Sequence, residues 1–381
     1  MESNERRLKL RTGSQMIAEG AVRAGCRFFA GYPITPASGI YKGMIELLQQ
    51  RGDVAISAPD EISALAYCVG ASMRGFKTMT ATSGPGWALM IETLQYALIT
   101  ETPVVIALIQ RLGPSTGGAT QGAQGDVLLA EFCTSGGYTI PILSPSTSAE
   151  CYELTITAFS WAERLRMPVV LLADKEVAMT SECVDYGRLR EPPVVDRLSQ
   201  TDGADDPRRP RKTYDFQHPH EVPPFLPVGG PQKVTLTGSA HNKMGELKKN
   251  DAETLEVLRH LEEKVRHRRD ELCRVALDAQ RDADTLVISF GITARAMGEA
   301  VQRARERGKK VSALNVLSLF PVPEKSILEA ASGVSRIVVA EENLTGQYRS
   351  VIAPLLKDKE IFGVNRIGSM ITPSEIEEVI V

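Results

Sequence analysis

Alternation between short apolar runs and helical patterns constrains the fold of this chain most strongly. The residues at 104–109 are all apolar and follow Pro103 directly, as expected for a strand that is covered on both faces. Segments such as 61–73, 87–99 and 148–165 have helical periodicity instead. Repeated strand–helix–strand units of this length predict an α/β fold with a doubly wound parallel sheet.

The alternation stops in the middle of the chain and then returns. Residues 186–231 hold nine of the 22 prolines and show little periodicity, which is typical of a connector. An amphipathic helix follows, and strand patterns begin again at 285. We therefore predict an α/β domain over 1–185, a connector with an amphipathic helix over 186–275, and a smaller α/β domain over 276–381.

Charge and hydropathy exclude several classes of function. The 44 basic and 47 acidic side chains leave a net charge of -3, so a general nucleic-acid or anionic-membrane role has little support. The N-terminus is charged, and no apolar run is long enough to suggest a transmembrane helix. These features predict a cytoplasmic protein.

The cysteine and histidine spacing predicts no metal site within this chain. The six cysteines include no CxxC pair, so we expect single thiols rather than disulfides, local zinc sites or an iron–sulfur cluster. The five histidines lie within 218–267 and form no HExxH motif. Metal or redox chemistry would require another chain.

Two loops at the predicted ligand edge of the first sheet carry candidate groups. In GYPITPAS (31–38), Pro33 and Pro36 hold Thr35 in a rigid turn, although such a turn could simply precede a helix that Ser38 caps. Glu61 opens the next helical segment, where a carboxylate often only matches the helix dipole. Because an alanine-rich apolar helix follows, Glu61 could instead point into an interface.

Two further loops follow the next strands. TSGPG (82–86) is a glycine-rich turn that could bind an anion or a flat ligand, but it matches no nucleotide-binding motif. Arg111 ends the apolar strand and begins a glycine-rich loop that runs to Gly125. A guanidinium there offers a fork for a carboxylate, whereas the alternative is a solvated strand end.

With these loops in order, the chain resembles the α subunit of the thiamine diphosphate-dependent 2-oxoacid:ferredoxin oxidoreductases, most of all the 2-oxoglutarate branch. Besides GYPITPAS and QRLGPSTG, the matching stretches include ATSGPG, LTGSAHNKMG (236–245) and VAEENLTGQ (339–347). The resemblance covers nearly the full length and is to the form without an additional fused domain. It implies a pyrimidine-binding domain followed by a transketolase C-terminal-like domain.

The resemblance also implies cofactors and partners. Thiamine diphosphate would be shared with a β subunit that holds the diphosphate, Mg²⁺ and a [4Fe-4S] cluster, and γ and ferredoxin-like subunits could complete the complex. Coenzyme A would be the cosubstrate and ferredoxin the electron acceptor. No nucleic-acid or membrane partner is implied.

The resemblance assigns roles to particular residues. Glu61 would hydrogen-bond the aminopyrimidine ring and promote its imino tautomer, while Thr35 and Arg111 would bind the carboxylate and keto oxygen of the 2-oxoacid. The remaining cofactor contacts would be Pro33, Ser83, Gly84, Pro85 and Gly86, and the remaining substrate contacts Ser115 and Thr116.

Three positions depart from the family pattern, at Gly39, Pro59 and Ala119. None of them is a proposed catalytic residue, so we expect altered loops rather than lost chemistry. For His241, loop structuring and substrate contact remain equally open.

Two other functions remain open from the sequence. Pyruvate, branched-chain and aryl 2-oxoacids would use the same loops, and a non-catalytic scaffold could keep the fold. The presence of Glu61, Thr35 and Arg111 together argues against the scaffold.

Overall fold

The computed structural model describes residues 7–199 and 212–380. The strands in chain order are β1 (Leu8–Thr12), β2 (Cys26–Gly31), β3 (Val54–Ser57), β4 (Lys77–Ser83), β5 (Val104–Gln110), β6 (Ile142–Leu143), β7 (Pro168–Asp174), β8 (Ser181–Asp185), β9 (Val275–Asp278), β10 (Thr285–Ser289), β11 (Val311–Val316), β12 (Ser318–Phe320), β13 (Arg336–Glu341) and β14 (Glu360–Asn365).

The helices that separate them vary from one turn to five. In chain order they are α1 (Gly13–Arg23), α2 (Ser38–Gln50), α3 (Glu61–Met73), α4 (Gly84–Ile99), α5 (Val127–Glu131), α6 (Ser148–Leu165), α7 (Lys175–Met179), α8 (Ala252–Arg266), α9 (Thr293–Glu306), α10 (Glu324–Ala330), α11 (Gln347–Ile352) and α12 (Pro373–Glu377).

The first sheet has seven strands in the order β12-β6-β7-β5-β4-β2-β3. All neighbours pair in parallel except β12, which pairs antiparallel with β6. Strands β4, β5 and β7 are buried along their whole length, because helices cover both faces of a parallel sheet. The predicted α/β fold class with a doubly wound sheet is confirmed.

Short polar side chains fix where several helices begin. Thr12 caps α1 in a reciprocal capping box with Gln15, and the Asp60 carboxylate accepts a hydrogen bond from the Ser63 amide at the start of α3. The alternative considered for this turn, a cap on α2 from Ser38, is not found. Residue 38 is already helical, and Ala37 occupies the cap position without a side-chain bond.

The second sheet has five strands in the order β14-β13-β10-β11-β9. One of its faces joins the apolar core of the first domain, with Leu286, Ile288 and Val339 fully buried in that shared core. The opposite face packs against α9 and α12. The two α/β units are therefore held together by a continuous hydrophobic core.

The described parts of the connector contain neither helix nor strand before α8. Helix α8 is fastened to the first domain by a buried ion cluster. Glu101 contacts Lys264 at 2.8 Å and His260 at 3.0 Å, and all three side chains are fully buried. The domain boundaries proposed at 185 and 275 remain a prediction.

In the described residues, no helix has the length and apolar character that a membrane span requires.

Candidate active site at the carboxyl edge of the first sheet

The candidate loops meet at one edge of the first sheet. Strands β2, β3, β4 and β5 run in parallel, so their carboxyl ends lie at the same edge, where open α/β sheets bind ligands. The ends of these strands, the loops that follow them and the first turns of α3 and α4 contain the residues proposed for the site, whereas His241 lies elsewhere. The structure therefore gathers the predicted groups in one region.

Glu61 lies at the first position of α3 and is 7 % exposed. Its side chain packs against Gly86 in the first turn of α4. A Cβ atom added to Gly86 would lie 2.5 Å from the Glu61 Cγ and 2.2 Å from the Thr82 Oγ1. The close approach of Glu61 to α4 therefore requires glycine at position 86.

Arg111 joins two of the loops. Its guanidinium donates a hydrogen bond to the backbone carbonyl of Thr35 at 2.5 Å. Arg111 is 7 % exposed, and its buried Nε has no acceptor among the described residues. The predicted neighbours thus meet, but through the backbone oxygen of Thr35. The free Nε leaves Arg111 able to bind a further oxygen ligand.

A cavity of about 490 Å³ opens beside these loops. Six of the residues that line it are Gly84, Pro85, Arg111, Ser115, Asp126 and Gln347. Of the sequence-predicted residues, Glu61, Thr35, Pro33, Ser83, Gly86 and Thr116 do not line it. The loop of Arg111 and the start of α4 therefore share a cavity with the C-terminal domain, and Glu61 lies next to it against Gly86.

Ser83, Pro33 and Thr116 differ in exposure. Ser83 is fully buried at the end of β4 and its hydroxyl has no partner among the described residues, so it does not cap α4. Pro33 and Thr116 are exposed at the sheet edge. Their predicted contacts would therefore come from the surface of this chain, where a ligand or another subunit could reach them.

Asp126 is a site residue that the sequence reasoning missed. Its carboxylate lies over Gly84, since a Cβ added there would be 2.9 Å from the Asp126 Oδ1. Burial raises the pKa of Asp126 to about 6, although the positive charge of Arg111 opposes this shift. The available sequence signal was an acidic residue at the end of the glycine-rich loop.

A polar network at the domain interface supports this site. Asp174, at the end of β7, accepts hydrogen bonds from Gln110 at 3.0 Å and from Gln124 at 2.9 Å. Gln124 also accepts from the Glu342 amide of the C-terminal domain. Burial raises the pKa of Asp174 to about 8, although the hydrogen bonds to this carboxylate favour its charged form and oppose the rise. The network holds Gln110, which directly precedes Arg111.

His241 lies away from these loops and is buried. Its ring stacks on Tyr214 with centroids 4.3 Å apart, and its nitrogens lie 3.0 and 3.1 Å from the carbonyl oxygens of Asn242 and Ile99. These contacts fasten the loop at 236–245 to the end of α4. The structure therefore favours loop structuring as the role of His241.

Metal-ligating side chains are not clustered in the part of the chain that the structure describes. No three His, Cys, Asp or Glu residues there are arranged to hold a metal ion. What this edge does offer is a buried carboxylate against a glycine-lined helix start, a group that can share a proton with a ligand.

Comparison with known families defines the class of protein. Residues 19–256 match the family described as "Pyruvate flavodoxin/ferredoxin oxidoreductase, thiamine diP-bdg", and residues 283–376 match "Pyruvate:ferredoxin oxidoreductase core domain II". The chain belongs to this family of thiamine diphosphate-binding oxidoreductases, and the resemblance found in the sequence is confirmed.

Within the family, the chain is similar to proteins named 2-oxoglutarate synthase subunit KorA. It is 35% identical to the Methanocaldococcus jannaschii protein over 97% of this chain and 98% of that one. It is 37% identical to the Methanothermobacter marburgensis protein over 96% of each chain. A ketoisovalerate oxidoreductase subunit VorB from Methanothermobacter thermautotrophicus is 29% identical over 93% of this chain and 92% of that one.

Solved structures agree with this assignment. The 2-oxoglutarate:ferredoxin oxidoreductase of Magnetococcus marinus, with 2-oxoglutarate, coenzyme A and succinyl-CoA bound, superposes with a TM-score of 0.89 and 29% identity. The match covers 98% of this chain and 64% of that longer one. A split-gene transketolase, at 12% identity over 97% of this chain and 95% of that one, with a TM-score of 0.54, shares the fold alone.

Proposed function

We propose that this chain is the α subunit of a 2-oxoglutarate:ferredoxin oxidoreductase. Such an enzyme decarboxylates a 2-oxoacid, transfers the acyl group to coenzyme A and passes two electrons to a low-potential carrier. The observation that carries the proposal is buried Glu61 against Gly86, next to a cavity that contains Arg111. The relatives named for 2-oxoglutarate support that substrate.

Glu61 is the proposed proton-sharing group. When bound, thiamine diphosphate supplies the carbon nucleophile and accepts the electron pair released by decarboxylation. A buried carboxyl group next to the aminopyrimidine can hold a proton on one ring nitrogen, which a solvated carboxylate does poorly. The remaining proposed ring contacts are Pro33, Ser83, Gly84, Pro85 and Gly86.

Arg111 is the proposed anchor of the substrate. Its guanidinium is already oriented by the Thr35 carbonyl, and its Nε is free among the described residues. A fixed guanidinium suits a carboxylate because its planar fork can donate two parallel hydrogen bonds. The hydroxyls of Thr35, Ser115 and Thr116 would hold the keto and distal oxygens.

An apolar surface beside Glu61 supports the proposed β subunit. Helices α3 and α4 leave Ile62, Tyr67 and Leu89 between 44 and 51 % exposed. Large exposed apolar side chains on adjacent helices are typical of protein interfaces. We propose that the subunit docked there brings the diphosphate and Mg²⁺ site and the [4Fe-4S] cluster, with γ and ferredoxin-like subunits completing the complex and ferredoxin as the acceptor.

We further propose that the complex works in the cytoplasm. All six cysteines are free thiols, and four of them are buried. Burial raises the pKa of the Cys26 and Cys68 thiols, so they stay protonated and unreactive. Free thiols in these numbers fit a reducing compartment.

The test uses the complex reconstituted from this chain and its partner subunits. Glu61→Gln should assemble normally but lose hydrogen–deuterium exchange at the thiazolium carbon by roughly 10²–10⁴-fold, the range of general acid–base catalysis. Exchange at the wild-type rate would show that Glu61 only begins a helix.

A substrate panel then tests the specificity. The wild-type complex should reduce a viologen dye in a reaction that depends on coenzyme A, with the highest kcat/KM for 2-oxoglutarate. A higher value for pyruvate, a branched-chain or an aryl 2-oxoacid would reject the substrate and keep the reaction. A complex inactive with every 2-oxoacid would favour the scaffold instead.

A further inference from the structure

The cavity beside Arg111 contains an acid that the proposed reaction does not use. Asp126 and Arg111 line the same cavity. Burial raises the pKa of Asp126, and the positive charge of Arg111 offsets only part of this rise. The Oδ2 atom of Asp126 and the Nε atom of Arg111 are both buried without a partner among the described residues. No ion pair between the two side chains is present in that part of the chain. Unpartnered buried groups are costly, so this pair requires an explanation.

Helix capping does not provide it. Asp126 precedes α5, but its side chain makes no capping hydrogen bond. The helix has only five residues and gains little from a charge at its start. The carboxylate instead lies over Gly84, at the first position of α4.

The position of Asp126 is firmly fixed. Its backbone amide donates to the Gln110 Oε1 at 3.1 Å. The adjoining backbone is held by Gln347 of the C-terminal domain, which donates to the Gly125 carbonyl at 2.9 Å and accepts from the Leu128 amide at 3.0 Å. The backbone that carries Asp126 is therefore held at the edge of the cavity.

The charges that act on Asp126 are few. Arg111 is the one charged group that shifts its pKa in the described structure. The neighbouring groups on β5, α4 and the C-terminal domain are Gln110, Gly84 and Gln347, none of which titrates. An anion bound at Arg111 would neutralise the positive charge that favours the ionised form of Asp126. It would also repel the Asp126 carboxylate in a poorly solvated cavity.

We propose that Asp126 takes up a proton when the 2-oxoacid carboxylate binds at Arg111, and that the resulting carboxylic acid donates a hydrogen bond to the bound substrate. This inference rests on the proposed function and adds a binding residue to it. One proton from water joins the Asp126 carboxylate for each substrate bound. Both unpartnered groups are then satisfied, Arg111 by the substrate carboxylate and Asp126 through its O–H.

The pH dependence follows from this coupling. Because burial places the pKa of Asp126 at about 6 in the free site, the protonated form that accepts substrate becomes scarcer above that pH. The protonated fraction falls about tenfold for each further pH unit, and kcat/KM should fall with it. An asparagine at this position is neutral at every pH and retains a donor.

The test compares pH profiles of the reconstituted complex with 2-oxoglutarate, coenzyme A and viologen dye. Asp126→Asn should raise kcat/KM at pH 7.5 by about thirtyfold relative to the wild type, because only about 3 % of Asp126 is protonated 1.5 pH units above a pKa of about 6, and the two profiles should converge below pH 6. Glu131→Gln is the matched control, because burial also raises the pKa of Glu131 while its side chain does not line the Arg111 cavity. Its profile should follow the wild type.

Several outcomes would overturn the inference. A wild-type kcat/KM that stays constant between pH 5.5 and 8 would contradict the proposed coupling. This measurement needs no variant, so it remains decisive even if Asp126→Asn fails to assemble. A variant weakened by the same factor at every pH would show a structural role for Asp126. A wild-type complex that turns over no 2-oxoacid would instead remove the proposed function itself.

Discussion

Replacing Gly86 with alanine tests the proposed site without touching an ionisable group. The added Cβ would lie 2.5 Å from the Glu61 Cγ and 2.8 Å from its Oε1, where ordinary contact begins at 3.4 Å. Thr82 is closer still, at 2.2 Å from its Oγ1. Both contacts have to be relieved, so the buried Thr82 and the Glu61 side chain must both shift.

The required movement sets the size of the effect. Restoring ordinary contact displaces the Glu61 side chain by about 1 Å, and a misplacement of that size can cost roughly 10² in rate. Overpacking should also lower the free energy of unfolding by about 1–3 kcal/mol. Alanine otherwise favours a helix by about 1 kcal/mol over glycine, so α4 itself should not suffer.

The assay is hydrogen–deuterium exchange at the thiazolium carbon in the reconstituted complex. Gly86→Ala should slow exchange by roughly 10²-fold. Gly298→Ala in α9 is the matched control, because a Cβ there meets no atom within 4 Å, and its exchange rate should equal that of the wild type. Wild-type exchange in Gly86→Ala would refute the argument that the Glu61–Gly86 contact positions the carboxylate.

Two further substitutions address other parts of the chain. Arg111→Ala should lower kcat/KM for the 2-oxoacid by about ten- to a hundredfold, and Arg111→Lys should recover only part of this loss. Thiazolium exchange should stay near the wild-type rate in both variants. Loss of cofactor binding with unchanged substrate affinity would show that Arg111 acts on the cofactor rather than on the substrate. Glu101→Gln leaves Lys264 buried without its counter-charge and should lower the free energy of unfolding by about 3–5 kcal/mol in urea titrations. An unchanged midpoint would show that the cluster is dispensable.

The sequence predicted the elements of the first domain that depend on local pattern. The continuous apolar run at 104–109 predicted β5, because a strand buried on both faces needs apolar residues throughout. Helices α3 and α6 also match their predicted ranges, 61–73 and 148–165. The short strands β1, β8 and β12 were not predicted, because a few residues carry too little periodicity to be distinguished from loop.

For the candidate site as well, some features could be predicted from the sequence and others depend on the tertiary structure. Thr35, Glu61, Gly84 and Arg111 follow recognisable strands, so their gathering at one edge could be deduced from parallel topology. The contact of Arg111 with the carbonyl of Thr35, rather than its hydroxyl, depends on loop geometry. The roles of these residues remain predictions for the experiments above.

By itself, the sequence determined the family, the α/β class and the carboxyl-edge position of the loops, because each depends on local pattern and motif spacing. Only the tertiary structure brought Asp126 into the cavity of Arg111 and placed Gln347 in its wall. It also joined Gln124 to Asp174 across the domain interface. The physical reason is that burial and side-chain pairing depend on contacts between residues distant in sequence, which no local pattern records.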